Sequence, residues 1–148
     1  MKIGFIASGG GSALNHILAI SKSVNPHLTF YGFSDRVCGA YKVLTQHCSE
    51  TFLFESADNH LISDAAARFF LDCECDLIIL AYSRLITKDL FAKIRCINIH
   101  PSLLPNYTGF RAIERAFADN TESLGVTLHQ VDQSIDLGEI VCQINTTP

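Results

Sequence analysis

The chain has 148 residues, 48% of them hydrophobic and 18% charged, which excludes disorder and fits a single domain, residues 1–148, with a buried core. Its net charge is −4 with only 11 Lys and Arg, too few cations for an extended nucleic-acid face. The longest apolar run, Leu77 to Tyr82, is too short to span a bilayer, and Met1 to Phe5 opens without a signal-like leader. A cytoplasmic domain with no membrane and no nucleic-acid partner is expected.

Short apolar runs alternate with segments of helical period, so an α/β sheet is expected. Ile3 to Ala7 reads as the first strand and stops at Ser8-Gly9-Gly10-Gly11. Leu14, Ile17 and Leu18 then mark a helix. Leu28 to Phe33 is the second strand, with Ala40, Val43, Leu44 and His47 on the helix behind it. Thr51 to Phe54 is a short third strand. Ile62, Ala65, Ala66 and Phe69 share one helical face. Leu77 to Leu80 is apolar enough for a central strand covered on both faces.

Cys96 to His100 predicts another strand, ending in polar residues, and Pro101 to Gly109 an irregular loop. Phe110, Ile113, Ala116 and Phe117 predict the last helix. Gly125 to Val131 and Glu139 to Ile144 predict two strands joined by a turn around Asp136 and Gly138. The six cysteines contain no CxxC pair, so buried free thiols are expected rather than a disulfide or zinc framework.

Three groups of residues can carry chemistry. Gly9, Gly10, Gly11 and Ser12 lie between a strand and a helix, where backbone amides can approach an anion or simply turn the chain. Leu14 occupies the place of a glycine in the dinucleotide fingerprint, and no GK[ST] is present, so NAD and ATP find little support. Asn98 and His100 share one strand face, near a strand end where open α/β sheets form their crevices. An amide donor beside an imidazole suits an oxygen gaining negative charge, although each residue alone would more often be structural. Asp136 could orient that imidazole, take a proton, or belong to an ordinary turn. His129 could line a pocket or fill the core. The spacing of His100, His129 and Asp136 favours no metal site.

The run Asn98-Ile99-His100-Pro101-Ser102-Leu103-Leu104-Pro105, followed by Gly109, resembles a signature of the formyltetrahydrofolate-dependent formyltransferases. The stretch from Gly125 to Asp132, continuing through Asp136-Leu137-Gly138-Glu139-Ile140-Val141, resembles the second family signature. The pattern is nearest to phosphoribosylglycinamide (GAR) formyltransferases and runs from Met1 to about Gln143.

The resemblance implies a Rossmann-like open, mostly parallel sheet with helices on both faces, and 10-formyltetrahydrofolate as co-substrate without a metal. It assigns Asn98 and His100 to the formyl oxygen and Asp136 to the histidine and the proton. Tyr82, Arg84, Leu85, Ile86, His129 and Asp132 fall at donor-binding positions, and Gly9, Gly10, Gly11 and Ser12 at the substrate phosphate. The implied acceptor is a small-molecule amine, first glycinamide ribonucleotide. An amino sugar nucleotide, methionyl-tRNA, hydrolysis of the same folate, and folate binding without turnover are the alternatives.

Two departures from the family pattern carry expectations. Ala13 stands where the glycinamide enzymes usually have asparagine, with Asn15 the nearest substitute. Relatives continue past the position of Pro148 into a further helix and closing segment. A short or missing C-terminal part would expose apolar surface and invite a homo-oligomer.

Overall fold

In a computed structural model, residues 1–146 are described, and they form two compact units, the first of residues 1–95 and the second beginning at residue 96. The last two positions of the expected 1–148 domain lie outside the described residues.

The first unit is a strand-helix alternation. Its elements are β1 (Lys2–Ala7), α1 (Ser12–Val24), β2 (Thr29–Ser34), α2 (Gly39–His47), β3 (Glu50–Leu53), α3 (Asn59–Asp72), β4 (Leu77–Ala81) and the short α4 (Lys88–Phe91). All pairings within it are parallel, β2 with β3, β1 with β2 and β1 with β4. The sequence shows why. Each strand is a short apolar run and each following segment has helical period, so crossover connections return the chain to the same end of the sheet. The residues of α4 carried no periodic signal, because four residues cannot display a helical stripe.

Strand alternation sends β1 side chains to opposite faces. Ile3, Phe5 and Ala7 pack with Leu14 and Leu18 of α1, Phe30 of β2, and Ala40 and Leu44 of α2. Phe5 and Phe30 meet edge to face at 5.6 Å. On the other face Gly4 lies under α3, where an added Cβ would be 2.6 Å from Phe70 and Ile78. Phe33 and Phe70 extend that layer, with centroids 6.3 Å apart. Helices therefore cover both faces of this parallel sheet, as expected. Asp58 caps α3 by accepting the His60 amide at 2.7 Å. In β4, Ile78 and Leu80 are buried whereas Leu77 and Ile79 are only half-buried.

The second unit comprises β5 (Cys96–His100), α5 (Ala112–Ala118), β6 (Leu124–Gln130) and β7 (Ile140–Thr146). Here β5 pairs antiparallel with β6, and β6 antiparallel with β7. On β6, Gly125, Thr127 and His129 are buried, in strict alternation with their neighbours. The two strands predicted to flank the Asp136 turn are thus present and paired.

Two expectations about packing need correction. Phe110, Ile113 and Phe117 do not form the buried stripe of α5. They stand exposed, while the smaller Ala112 and Ala116 face inward. The periodicity located the helix, but close packing of α5 selected its alanine side. The cysteines are all free, and burial pushes the Cys48, Cys75 and Cys96 thiols up to about 12. Cys142, however, is exposed, because every residue of β7 is exposed. Ile140, Val141 and Ile144 of β7 are among its exposed apolar residues. Among the described residues no helix is long and apolar enough to cross a membrane.

Candidate active site

In the second unit, Asn98 and His100 lie on the same face of β5, as their spacing predicts. The antiparallel register places Asn98 opposite His129 and His100 opposite Thr127. His100 and His129 are almost fully buried. Asp136 comes from the β6–β7 turn, where it adopts a left-handed backbone (φ 55) that aspartate tolerates better than most residues. The turn closes only because residue 138 is glycine, since a Cβ there would lie 1.8 Å from the Gln130 carbonyl oxygen.

These elements bring four polar side chains together. Asp136 Oδ2 lies 3.4 Å from His100 Nδ1, and Asp136 Oδ1 lies 3.3 Å from His129 Nε2. The Gly109 amide donates to Asp136 Oδ2 at 2.6 Å, fixing the carboxylate. His100 Nε2 is 2.9 Å from the Tyr107 carbonyl oxygen, which can only accept, so Nε2 carries a proton. Asn98 Nδ2 lies 3.2 Å from His129 Nε2. A half-buried amide donor, an imidazole and an anchored carboxylate are the groups needed to stabilise an oxyanion and relocate a proton. Among the described residues, no group of three or more His, Cys, Asp or Glu is arranged to hold a metal ion.

The loop after β5 is held by a network that sequence reading missed. Thr127 Oγ1 donates to the Ser102 carbonyl at 2.7 Å and accepts from the Leu104 amide at 3.1 Å and Gln143 Nε2 at 2.9 Å. Gln143 also donates to the Leu104 carbonyl at 2.8 Å, and Ser102 Oγ to the Asn106 carbonyl at 2.6 Å. The network anchors the loop that delivers the Tyr107 carbonyl to His100. Its one sequence signal was Thr127 at an inward strand position two residues before His129.

Asp132, expected at the donor site, stands in the β6–β7 connection. It accepts from the Ser134 hydroxyl and amide, and those bonds hold its carboxyl below the usual range.

In the first unit, Gly9 and Gly11 take left-handed backbone conformations, φ 85 and 82. Gly11 is the N-cap of α1, and the first bond of that helix runs from the Asn15 amide to the Gly11 carbonyl at 2.9 Å. The preceding amides of the helix start are therefore the donors available to an anion. Ser12 makes no side-chain cap. A Cβ on Gly9 or Gly10 would meet nothing within 4 Å, so the outer side of the loop is open.

Beneath it the loop is tightly packed. The Ala40 amide donates to the Gly9 carbonyl at 2.9 Å, and a Cβ on Gly39 would sit 2.1 Å from the Gly10 oxygen. Gly39→Ala is accordingly expected to displace the glycine loop and, for a loop that holds the acceptor phosphate as the family resemblance implies, to raise KM for that acceptor about tenfold or more, with donor affinity unchanged. Isothermal titration with donor and acceptor separately checks this. Asn15, the nearest substitute for the loop asparagine, has its Oδ1 2.8 Å from His47 Nε2.

The segment after β4 is tied to this loop by Ser8 and Ser83, whose hydroxyls are 3.0 Å apart. The Arg84 guanidinium is occupied within the unit. It donates to Asp35 Oδ2 at 3.0 Å, to Asn59 Oδ1, and to the Ser56 and Ala57 carbonyls. Arg84 thus braces the segment, and its side chain has no spare fork for a ligand. Tyr82 is half-buried, and burial together with the Asp35 charge pushes its hydroxyl pKa up. Leu85 is exposed and Ile86 half-buried. Asp35, at the end of β2, had escaped notice. It is almost wholly buried, yet hydrogen bonds from Arg36 and Arg84 overcome that burial and lower its pKa to about 2.

The chain is similar to several known proteins. A phosphoribosylglycinamide formyltransferase of Haemophilus influenzae is 30% identical over 150 residues, covering 96% of this chain and 71% of that protein. A methionyl-tRNA formyltransferase of Caldicellulosiruptor saccharolyticus is 35% identical over 69 residues, 45% of this chain. The match spans only 22% of that protein's length. The crystal structure of glycinamide ribonucleotide transformylase 1 from Symbiobacterium toebii superposes with a TM-score of 0.90 at 26% identity, covering 99% of this chain and 73% of the other. That likeness gives the whole chain the Rossmann-like formyltransferase fold. A model described as formyl transferase matches residues 1–147, and the chain belongs to that family.

Proposed function

We propose that the chain transfers a formyl group from 10-formyltetrahydrofolate to the amine of glycinamide ribonucleotide, with both units acting as one catalytic domain. The observation that carries this reading is the cluster of half-buried Asn98 and Asp136 around buried His100, with His100 Nδ1 3.4 Å from Asp136 Oδ2.

The proposed chemistry needs no further group. The acceptor nitrogen attacks the formyl carbon as a neutral amine, forming a C–N bond. The formyl oxygen gains negative charge and takes a hydrogen bond from Asn98 Nδ2–H. The attacking nitrogen becomes positive and releases a proton toward the His100–Asp136 pair. That proton ends on N10 of the folate as its C–N bond breaks, so atoms and charge balance. Leu85 and Ile86 offer an apolar surface to the donor's ring. The amides at Gly10, Gly11 and Ser12 suit the acceptor phosphate. A net charge of −4 supports a small-molecule acceptor over tRNA, and a cytoplasmic location belongs to the same reading.

Absorbance-monitored release of tetrahydrofolate, with and without glycinamide ribonucleotide, tests the reading. Release that requires this acceptor is the expected result. Release without an acceptor would replace it with a hydrolase. Folate binding without release under any acceptor would leave a binding protein.

A further inference from the structure

We propose that His129 is a positioning residue that sets the orientation of the Asn98 carboxamide, rather than a wall of the folate pocket; the inference rests on the formyl-transfer reading above. His129 is 2% exposed, so little of its surface is left for a ligand. Its Nδ1 is 3.1 Å from the Gln130 carbonyl oxygen, an acceptor only, so Nδ1 carries the proton of the neutral ring. The lone pair is then on Nε2, which faces Asn98 Nδ2 at 3.2 Å and leaves the 3.3 Å approach of Asp136 Oδ1 without a hydrogen bond. A reversed carboxamide would set Asn98 Oδ1 against that lone pair. The tautomer therefore decides which way the amide points.

The consequence reaches the reaction. Asn98 Nδ2 has two hydrogens. One is held by His129, and the other is left at a fixed angle as a donor to the formyl oxygen. Among the described residues the carboxamide has no other hydrogen-bond partner, so without His129 it could present its oxygen to the oxyanion instead.

The strand is shaped for this. Pairing of β6 with β7 slips between Leu128 and His129, so that Leu128 faces Cys142 and His129 faces Ile140. The extra residue, Val141, belongs to β7, while β6 keeps its strict alternation, so the imidazole that bridges the Gln130 carbonyl and Asn98 stays inward. A division of labour also follows. With its lone pair engaged by Asn98, His129 is not the base, and the mobile proton is left to His100 and Asp136, with Gly109 holding the carboxylate.

Nitrogen-15 NMR of the full chain labelled at histidine, with kinetics of two variants, tests the proposal. His129 is expected to show a protonated Nδ1 and an unprotonated Nε2. His129→Leu removes the acceptor and is expected to lower kcat about tenfold or more, with KM for 10-formyltetrahydrofolate within about threefold. His129→Gln, whose Oε1 can still accept from Asn98, is expected to recover kcat to within about threefold of the parent.

A protonated Nε2, equal loss in both variants, or a rise in KM at unchanged kcat would overturn it, the last by making His129 a folate contact. Should His129→Leu fail to fold, the nitrogen spectrum and the Gln variant still decide. Absence of turnover in the parent chain would sink the formyl-transfer reading, whereas the spectrum would still judge the tautomer.

Discussion

His100→Ala is expected to lower kcat by about 10²- to 10⁴-fold while affinity for the formyl donor changes by no more than about threefold. His100 is 4% exposed, with Nε2 committed to the Tyr107 carbonyl and Nδ1 directed toward Asp136. At 3.4 Å the Nδ1–Asp136 separation is longer than the roughly 2.7–2.9 Å of a formed charge-assisted bond. Proton arrival on the imidazole would draw the pair together, which is an interaction made during turnover and absent from the resting site. Alanine removes that interaction, but no surface on which the folate ring rests. Stopped-flow turnover with calorimetric binding of the donor separates the two quantities. Equal losses of binding and turnover would make His100 a ground-state contact, and thermal melting of the variant guards against misfolding.

Asp35→Ala is expected to destabilise the protein by about 3 kcal/mol, because it leaves the guanidinium of Arg84 without its buried counter-charge. The Asp35 side chain is 1% exposed and that of Arg84 only 22%, so water cannot fully replace the pair. For a chain of this length the melting temperature should fall by roughly 6–12 °C. The same interaction has a pH signature. The folded pKa of Asp35 is about 2 against an ordinary value of 3.8. A depressed carboxylate contributes stability above its unfolded pKa and loses it as pH falls through the folded one. About 2 kcal/mol should therefore disappear between pH 4 and pH 2 in the parent, and be missing throughout in the variant. Urea melts across that range check it. Because Arg84 also braces residues 82–86, KM for the donor should rise in the variant at temperatures where it remains folded.

The residue pattern by itself determined most of the framework. Apolar runs at β1, β2 and β4, separated by helical periods, leave parallel pairing with helices on both faces as the way to bury every stripe. Two-residue spacing put Asn98 and His100 on one face before any coordinates, since the pleat has no other period. The turn at Asp136 was legible because aspartate and glycine tolerate the backbone it needs.

Other features required the tertiary structure. Which side of α5 is buried depends on how closely its neighbours approach, so the alanines won over Phe110, Ile113 and Phe117. Arg84 became a brace because Asp35, Ser56, Ala57 and Asn59 converge on it from positions 25 to 49 residues away. The partners of His129 are a carbonyl on its own strand, an amide across the sheet and the Asp136 carboxylate. Periodicity reports the face a side chain leaves from. The partners it meets are a matter of distances between strands and loops far apart in sequence, and only the folded chain sets those.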